Sequence, residues 1–157
     1  MIILGIDPGS TRVGYGVISG DKNFSLVDYG VIEAKRKKAD ALILEISDKI
    51  TDLIKTYKPD LASIEKIYFS KNVKTGIEVA QTRGAIILEI ARHKIPIKEF
   101  SPSEIKLSVT GYGMTDKKGV AKLVAKILNI DSLTGFDDAS DALAIALTAA
   151  HNKEWGA

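Results

Sequence analysis

Four acidic residues are the side chains in this sequence most able to do chemistry. Asp7 ends an apolar, β-branched run at the start of the chain, and Glu65 ends a later apolar run. Asp138 and Asp141 stand three residues apart among small apolar residues, and this spacing places both on one face of a helix. A carboxylate in apolar surroundings is unfavourable unless it is paired or bound to metal. Together the four would form an oxygen-rich pocket suited to two divalent cations about 3.5–4 Å apart.

Each acid taken alone also has a simpler explanation. Asp7 could cap the Pro-Gly turn that follows it, and Glu65 could be a charge at a strand edge. Asp138 and Asp141 could complement a helix N-terminus, where acids are favoured by about 0.3–1 kcal/mol. For Asp137 we expect this role, as the helix cap. The joint occurrence of two strand-end acids and a helical pair favours the metal site.

The composition restricts both the class of protein and the kind of metal site. The chain has 157 residues, of which 45% are hydrophobic and 27% charged, which predicts one globular domain over 1–157 with a frayed tail at 153–157. It has neither an apolar stretch of transmembrane length nor a signal-peptide pattern, so we expect a cytoplasmic protein. Without cysteine and with only two histidines, a metal would be held by oxygen, which favours Mg²⁺ or Mn²⁺.

The apolar periodicity predicts the elements that would position the acids. Strands are expected over residues 2–7, 13–19, 24–33, 61–67 and 95–100, and helices over 40–57, 72 or 73–93, 101–111, 115 or 116–128 and 137–152. This order predicts an α/β fold whose mixed five-stranded sheet carries helices on both faces. If the first and fourth strands are parallel neighbours, Asp7 and Glu65 emerge at the same edge of the sheet.

Several short motifs occur in a familiar order. They are Gly5-Ile6-Asp7-Pro8-Gly9, Gly14-Tyr15-Gly16, Glu65 followed by an aromatic three residues on, Gln81-Thr82-Arg83-Gly84, and Asp138 to Ala146. From Met1 to about His151 this arrangement resembles the RuvC family of Holliday-junction resolvases, which have a ribonuclease H-like fold. The resemblance implies that Asp7, Glu65, Asp138 and Asp141 are catalytic metal ligands for two Mg²⁺, with Mn²⁺ as a substitute. Some family members carry His at the position of Asp138.

The resemblance also implies residues that contact DNA. Tyr68 occupies the place of an aromatic that stacks on an unpaired base, an interaction worth about 1–3 kcal/mol. Phe69 is a second candidate in the same loop, and core packing is its alternative. Lys106 and Lys117 match lysines of the family that contact DNA. Arg83, Lys118 and Lys122 are further candidates for phosphate contacts, and a solvated surface is the alternative for each lysine.

Partners follow from the same resemblance. It implies a homodimer that nicks two strands of a four-way DNA junction symmetrically, leaving 5′-phosphate and 3′-hydroxyl ends, and that works with the branch-migration proteins RuvA and RuvB. Gly76, Ala80 and Gly84 recur every four residues on the long predicted helix and would allow close approach of a second copy. The alternative is that this stripe packs on the helix's own sheet.

Three other interpretations remain open from the residues. A YqgF-like relative shares the fold and the first motif, and would imply a different nuclease role, with RNA as an alternative substrate. A sugar-kinase or actin-like ATPase also carries an Asp-x-Gly turn, but that architecture needs two such domains around a nucleotide. A catalytically inactive junction-binding module would not need four intact acids. The spacing of Glu65 and Tyr68 and the final acidic motif favour the RuvC interpretation.

Overall fold

The computed structural model describes residues 1–35, 38–68, 73–111 and 116–152. The strands are β1 (Ile2–Pro8), β2 (Arg12–Gly20), β3 (Phe24–Glu33), β4 (Leu61–Glu65) and β5 (Ile97–Phe100). The helices are α1 (Ala39–Tyr57), α2 (Val73–Arg92), α3 (Pro102–Thr110), α4 (Lys117–Ile127) and α5 (Asp137–His151). The number and order of the elements agree with the prediction from the sequence. None of the described helices has the length and apolar character needed to cross a membrane.

The five strands form one mixed sheet in the order β3-β2-β1-β4-β5. The first three strands pair antiparallel, whereas β4 lies parallel to both β1 and β5. In the register of β1 and β4, Ile6 lies beside Ile64. Asp7 and Glu65 each follow one of these two residues, so both acids stand at the same edge of the sheet. The mixed five-stranded sheet and the parallel pairing of the first and fourth strands are therefore confirmed.

Alternation along the strands decides which face of the sheet the acids occupy. Leu4 and Ile6 pack in the core beneath α1 and α2, whereas Ile3 packs in the core with α3, α4 and α5. Side chains in a strand alternate between faces, so Asp7 lies on the same face as Ile3. The same alternation in β4 places Glu65 on this face as well. Both acids therefore face α5, the helix that carries the other two.

Glycines in the first two strands let α5 lie directly against the sheet backbone. A Cβ added at Gly5 would stand 2.1 Å from the carbonyl oxygen of Ala142, and one at Gly14 would stand 1.9 Å from that of Asp138. No side chain fits into such a gap. In the register of β1 and β2, Gly14 lies opposite Asp7. This close approach brings the first turn of α5 to the end of β1.

The helix starts agree with the prediction in two cases and differ in one. Ser101 and Glu104 form a capping box at α3, and the Asp116 side chain accepts a hydrogen bond from the Gly119 amide at 2.8 Å. The expectation that Asp137 caps the last helix is wrong, because Phe136 is the N-cap and Asp137 is the first helical residue.

Two strand ends also differ from the prediction. The fourth strand ends at Glu65 rather than at residue 67, and the fifth begins at Ile97 rather than at residue 95. The reason is that β4 and β5 share only the short register from Ala62 beside Ile97 to Glu65 beside Phe100. Beyond Glu65, the Lys66 amide donates to the Phe100 carbonyl at 2.8 Å and the chain then leaves the sheet.

Candidate active site

A cleft of about 270 Å³ opens at the sheet edge where β1 and β4 end. Its charged lining consists of three of the predicted acids and two of the predicted lysines: Asp7, Glu65, Asp141, Lys106 and Lys117. The remaining lining is mainly apolar and comes from α3, α4 and α5. The structure thus brings together residues that lie far apart in the sequence, and it combines carboxylates with two cations from neighbouring helices.

One buried hydrogen bond ties the two halves of this cleft together. The Ser63 hydroxyl of β4 donates to the Ile145 carbonyl of α5 at 3.2 Å, and Ser63 is fully buried. A buried hydroxyl needs such a partner, since leaving it unpaired costs about 1–3 kcal/mol. The bond therefore helps to fix the strand that carries Glu65 against the helix that carries Asp141.

Burial and mutual proximity raise the pKa values of the acids in the cleft. Burial, followed by the neighbouring charges of Glu65, Asp141 and Asp138, raises the pKa of Asp7 to about 8. Burial and the charge of Asp141 raise the pKa of Glu65, with Lys117 and Lys106 acting in the opposite direction. Burial also raises the pKa of Asp141 in spite of the adjacent Lys117. All three carboxyls are therefore held in an environment that disfavours their charged form.

Asp138 lies at the rim of this cluster and has a cationic partner of its own. The Arg12 Nε atom stands 3.3 Å from an Asp138 carboxylate oxygen, and the Arg12 guanidinium lies 4.7 Å from the centre of the Phe136 ring. Arg12 was not among the site residues predicted from the sequence. The signal that could have indicated Arg12 is its position directly after the Pro-Gly turn that follows Asp7. This turn reverses the chain, so Arg12 lies at the same edge of the sheet as Asp7.

Lys117 makes a comparable contact with the other acid of α5. Its ammonium stands 3.4 Å from an Asp141 carboxylate oxygen, and this charge raises the pKa of Lys117. The lysine side chain is 71% exposed, so we expect the pair to contribute little to stability. An exposed lysine held loosely beside a carboxylate is able to change partners when a more strongly charged group enters the cleft.

The chemistry of the donors fits a divalent cation of the Mg²⁺ type. All of them are carboxylate oxygens, the ligands such ions prefer, and a bound cation would favour the charged forms that burial and neighbouring acids disfavour in three of them. Within the described ranges, no group of three or more His, Asp or Glu side chains is already arranged to hold an ion. Asp138 and Asp141 would have to exchange Arg12 and Lys117 for the metal.

Of the other predicted DNA contacts, Tyr68, Lys118 and Lys122 lie outside the described lining of the acidic cleft. Tyr68 is 63% exposed and lines a neighbouring hollow together with Glu65 and Gly76. Phe69 lies outside the described residues. Lys118 and Lys122 are exposed on α4 but do not belong to the described lining of the acidic cleft.

Arg83 is directed into its own chain rather than into the cleft. Its Nε atom donates to the Glu65 carbonyl oxygen at 3.1 Å, and its Nη2 atom stands 3.0 Å from a carboxylate oxygen of Glu99. The arginine side chain is only 17% exposed. Glu99, on β5, was not among the predicted site residues, and no motif in the sequence indicated it.

The predicted small-residue stripe lies on α2. Gly84 is exposed, and a Cβ added there would have no described atom of the chain within 4 Å. Gly76 and Ala80 are half-buried. Large apolar residues flank the stripe at an exposure of 50% or more, and these are Val73, Ile77 and Leu88. The described part of the chain therefore covers this side of the helix only in part.

Comparisons with known proteins agree with this geometry. The family model described as "Crossover junction endodeoxyribonuclease RuvC" matches residues 3–149. A relative of that name from Petrotoga mobilis is 45% identical over 148 residues, covering 93% of this chain and 91% of the relative. A relative of the same name from Prochlorococcus marinus is 45% identical over 155 residues, covering 98% and 100%.

A solved structure shows the same fold with its substrate. "T. thermophilus RuvC in complex with Holliday junction substrate" superposes with a TM-score of 0.89 at 27% identity, covering 96% of this chain and 93% of that one. This match confirms the ribonuclease H-like fold, and the family model separates the chain from the YqgF-like and ATPase alternatives. From its first strand to its last helix, the chain belongs to the RuvC family of crossover junction endodeoxyribonucleases.

Proposed function

We propose that this protein resolves Holliday junctions by metal-dependent hydrolysis of phosphodiester bonds. The observation that carries the proposal is the cleft at the edge of the sheet, where Asp7, Glu65 and Asp141 meet Lys106 and Lys117. Carboxylates supply the ligands for metal, and the lysines supply positive charge for the phosphates of the DNA. The relative from Thermus thermophilus, with the same fold, was solved in complex with a Holliday junction substrate.

Each acid has a role that its position supports. We assign Asp7, Glu65, Asp138 and Asp141 as the residues that would hold two Mg²⁺, with Mn²⁺ as a substitute. When bound, such ions lower the pKa of the attacking water and stabilise the charge of the leaving 3′-oxygen. The carboxylates themselves then need only to be ionised and correctly placed. Because the charged forms of Asp7, Glu65 and Asp141 are disfavoured in the metal-free protein, cation binding and loss of protons are expected to be coupled.

The decisive experiment is cleavage of a synthetic mobile four-way junction with the cut positions mapped on each strand. We expect paired symmetric nicks with 5′-phosphate and 3′-hydroxyl ends in Mg²⁺ and no cutting in EDTA. Asp141→Asn should bind the junction and fail to cut it, because it removes one metal ligand and leaves the lysines in place. Cutting in EDTA, or near wild-type cutting by Asp141→Asn, would contradict the assignment.

The lysines of the cleft are proposed to contact phosphates. Each phosphate contact contributes about 0.9 to the slope of log affinity against log salt, so the double variant Lys106→Ala/Lys117→Ala should lose nearly two units. A matched control is Lys49→Ala/Lys55→Ala on exposed positions of α1, which covers the opposite face of the sheet. An unchanged slope for the first pair, or equal losses for both pairs, would rule out a specific role for the cleft lysines.

Tyr68 is proposed to stack on an unpaired base, since it is exposed beside the strand end that carries Glu65. Replacing it with Ala should weaken junction binding, whereas Phe should preserve it, because stacking depends on the ring rather than on the hydroxyl. Phe69, Lys118 and Lys122 are proposed as further DNA contacts. Equal binding by the Ala and Phe variants of Tyr68 would exclude stacking.

We also propose that the active form is a homodimer joined through α2. The support is the exposed apolar face of this helix and the open space beside Gly84. Ile77→Glu and Gly84→Leu should yield monomers at micromolar concentration, measured by analytical ultracentrifugation. Leu44→Glu on α1 is the matched control, since Leu44 is 62% exposed. A monomeric wild type, or dimers in both α2 variants, would refute this interface.

Partners, domain organisation and location complete the proposal. We expect the described chain to act as a single domain, to work in the cytoplasm where chromosomal DNA is available, and to cooperate with RuvA and RuvB. This cooperation can be measured as joint binding of the three proteins to one labelled junction. Displacement of this protein from the junction by RuvA and RuvB would contradict it.

A further inference from the structure

We infer that Arg83 is a positioning residue for Glu65, and that it holds the end of β4 in place rather than contacting a phosphate. The inference rests on the proposed function, since it assumes that the Glu65 carboxylate is a metal ligand. It assigns to this residue a role other than the phosphate contact expected from the sequence.

The contacts of Arg83 join three elements at one point. From α2, its Nε atom donates to the carbonyl oxygen of Glu65, the last residue of β4, at 3.1 Å. Its Nη2 atom pairs with Glu99 of β5 at 3.0 Å. A planar guanidinium with two directed contacts fixes the relative placement of its partners better than a single ammonium can.

Glu65 lies where the backbone of β4 leaves the sheet, so an additional hydrogen bond helps to fix its orientation. The strand ends with it, and the amide of the next residue, Lys66, makes the last hydrogen bond to β5. A donor on the Glu65 carbonyl fixes the orientation of the peptide plane and therefore the direction in which the side chain leaves the backbone. Groups that orient metal ligands in this way typically change metal affinity by about 10- to 100-fold when they are removed.

The surroundings of Arg83 are unfavourable for binding phosphate. Two of its nitrogens already have partners, and the side chain is 17% exposed. One of those partners, Glu99, is a half-exposed carboxylate that would repel an approaching phosphate. Arg83 lines a hollow together with Tyr68 and Lys66. Arg83 can therefore lie near DNA that stacks on Tyr68 without contacting that DNA directly.

Two measurements separate the two roles. For Arg83→Met, which keeps the length of the chain and removes the donors, we expect junction affinity and its salt slope in EDTA to remain unchanged. We expect Mn²⁺ binding to the DNA-free protein, measured by the electron paramagnetic resonance of free Mn²⁺, to weaken about 10- to 100-fold. Arg83→Lys should restore Mn²⁺ binding only in part, and it carries the same test if Arg83→Met does not fold.

Two control variants complete the experiment. Glu99→Gln leaves the contact between Arg83 and Glu65 intact and should change Mn²⁺ binding by less than Arg83→Met does. Arg92→Met, at a 64% exposed position near the end of α2, should leave Mn²⁺ binding unchanged. Thermal unfolding of every variant would show whether a loss reflects misfolding.

Two results would overturn the inference. One is a salt slope reduced by about one unit with normal Mn²⁺ binding in Arg83→Met, which would identify a phosphate contact. The other is a folded variant unchanged in both measurements, which would leave Arg83 with a purely structural role. If the wild type binds Mn²⁺ but does not cut junctions, the proposed function fails while the positioning role is still tested by Mn²⁺ binding.

Discussion

Replacing Asp7 with Asn should abolish junction cleavage and at the same time make the metal-free protein more stable at neutral pH. Asp7 lies at the end of a buried strand, where burial, followed by the charges of three other carboxylates, raises its pKa to about 8. Asn has nearly the same shape and cannot ionise. The variant therefore removes a metal ligand and, with it, the source of an unfavourable charge.

The size of the gain follows from the pKa of Asp7 in the two states. The pKa of Asp7 is 3.8 in a model peptide and about 8 in the folded protein. At pH 7 the unfolded chain has lost the proton and most folded chains have kept it. The free-energy cost of taking up this proton is set by the roughly three pH units between the unfolded pKa and pH 7, at about 1.36 kcal/mol each. Relaxation of the site offsets part of this, so we expect a gain of about 2–4 kcal/mol at pH 7. The gain should become small near pH 4, where Asp7 is protonated in the folded protein and partly protonated in the unfolded chain.

The assay is urea unfolding of the wild type and Asp7→Asn in EDTA, repeated between pH 4 and pH 8. The wild type should lose stability relative to the variant as the pH rises through this interval, because the folded state binds the extra proton. Asp48→Asn, on an exposed position of α1, is the matched control and should show no such trend. Equal unfolding of the wild type and Asp7→Asn at pH 7 would refute the electrostatic argument, and cleavage by the variant would refute the metal assignment.

Further predictions concern metal binding, the packing of α5 against Gly14, and the contact between α1 and α2. Mg²⁺ at 100 times its dissociation constant should raise the unfolding free energy of the wild type by about 2.7 kcal/mol and leave Asp7→Asn nearly unchanged in calorimetry. Gly14→Ala should lower the unfolding free energy by about 1–3 kcal/mol and reduce cleavage, because its Cβ would meet the Asp138 backbone, whereas Gly84→Ala should keep a native urea midpoint. Glu89→Ala should cost about 1–3 kcal/mol in urea unfolding without changing metal binding, since this buried carboxylate joins α2 to Ser47 of α1. Normal stability of either Gly14→Ala or Glu89→Ala would show that the contact concerned is not tightly packed.

Much of the fold could be predicted because the apolar pattern and the turn residues agree with each other. The β-branched runs before Asp7 and Glu65 predicted buried strands, and the helix between them allowed the parallel pairing that brings the two acids to one edge. The spacing of Asp138 and Asp141 then placed the remaining acids on one side of the last helix. These features depend on the periodic spacing of apolar residues within short segments, which can be recognised in a single sequence.

The contacts that complete the site could not be predicted, because they depend on distances across the fold. The pairing of Arg12 with Asp138 requires the tight turn between β1 and β2, and the pairing of Arg83 with Glu99 requires α2 to cross the end of β5. Neither pair has a characteristic spacing in the sequence. The cap of α5 was also misassigned to Asp137 instead of Phe136, because an acidic residue is equally suitable as a cap or as part of the first turn.

The placement of the acids has a consequence for how the protein is made. Asp7 belongs to the first strand and Asp141 to the last helix, and α5 reaches the sheet only by fitting against the glycines of β1 and β2. A ribosome therefore releases the first acid long before the last one exists. Incomplete chains cannot assemble the cleft, so the capacity to cut arises only when synthesis of the domain is nearly finished.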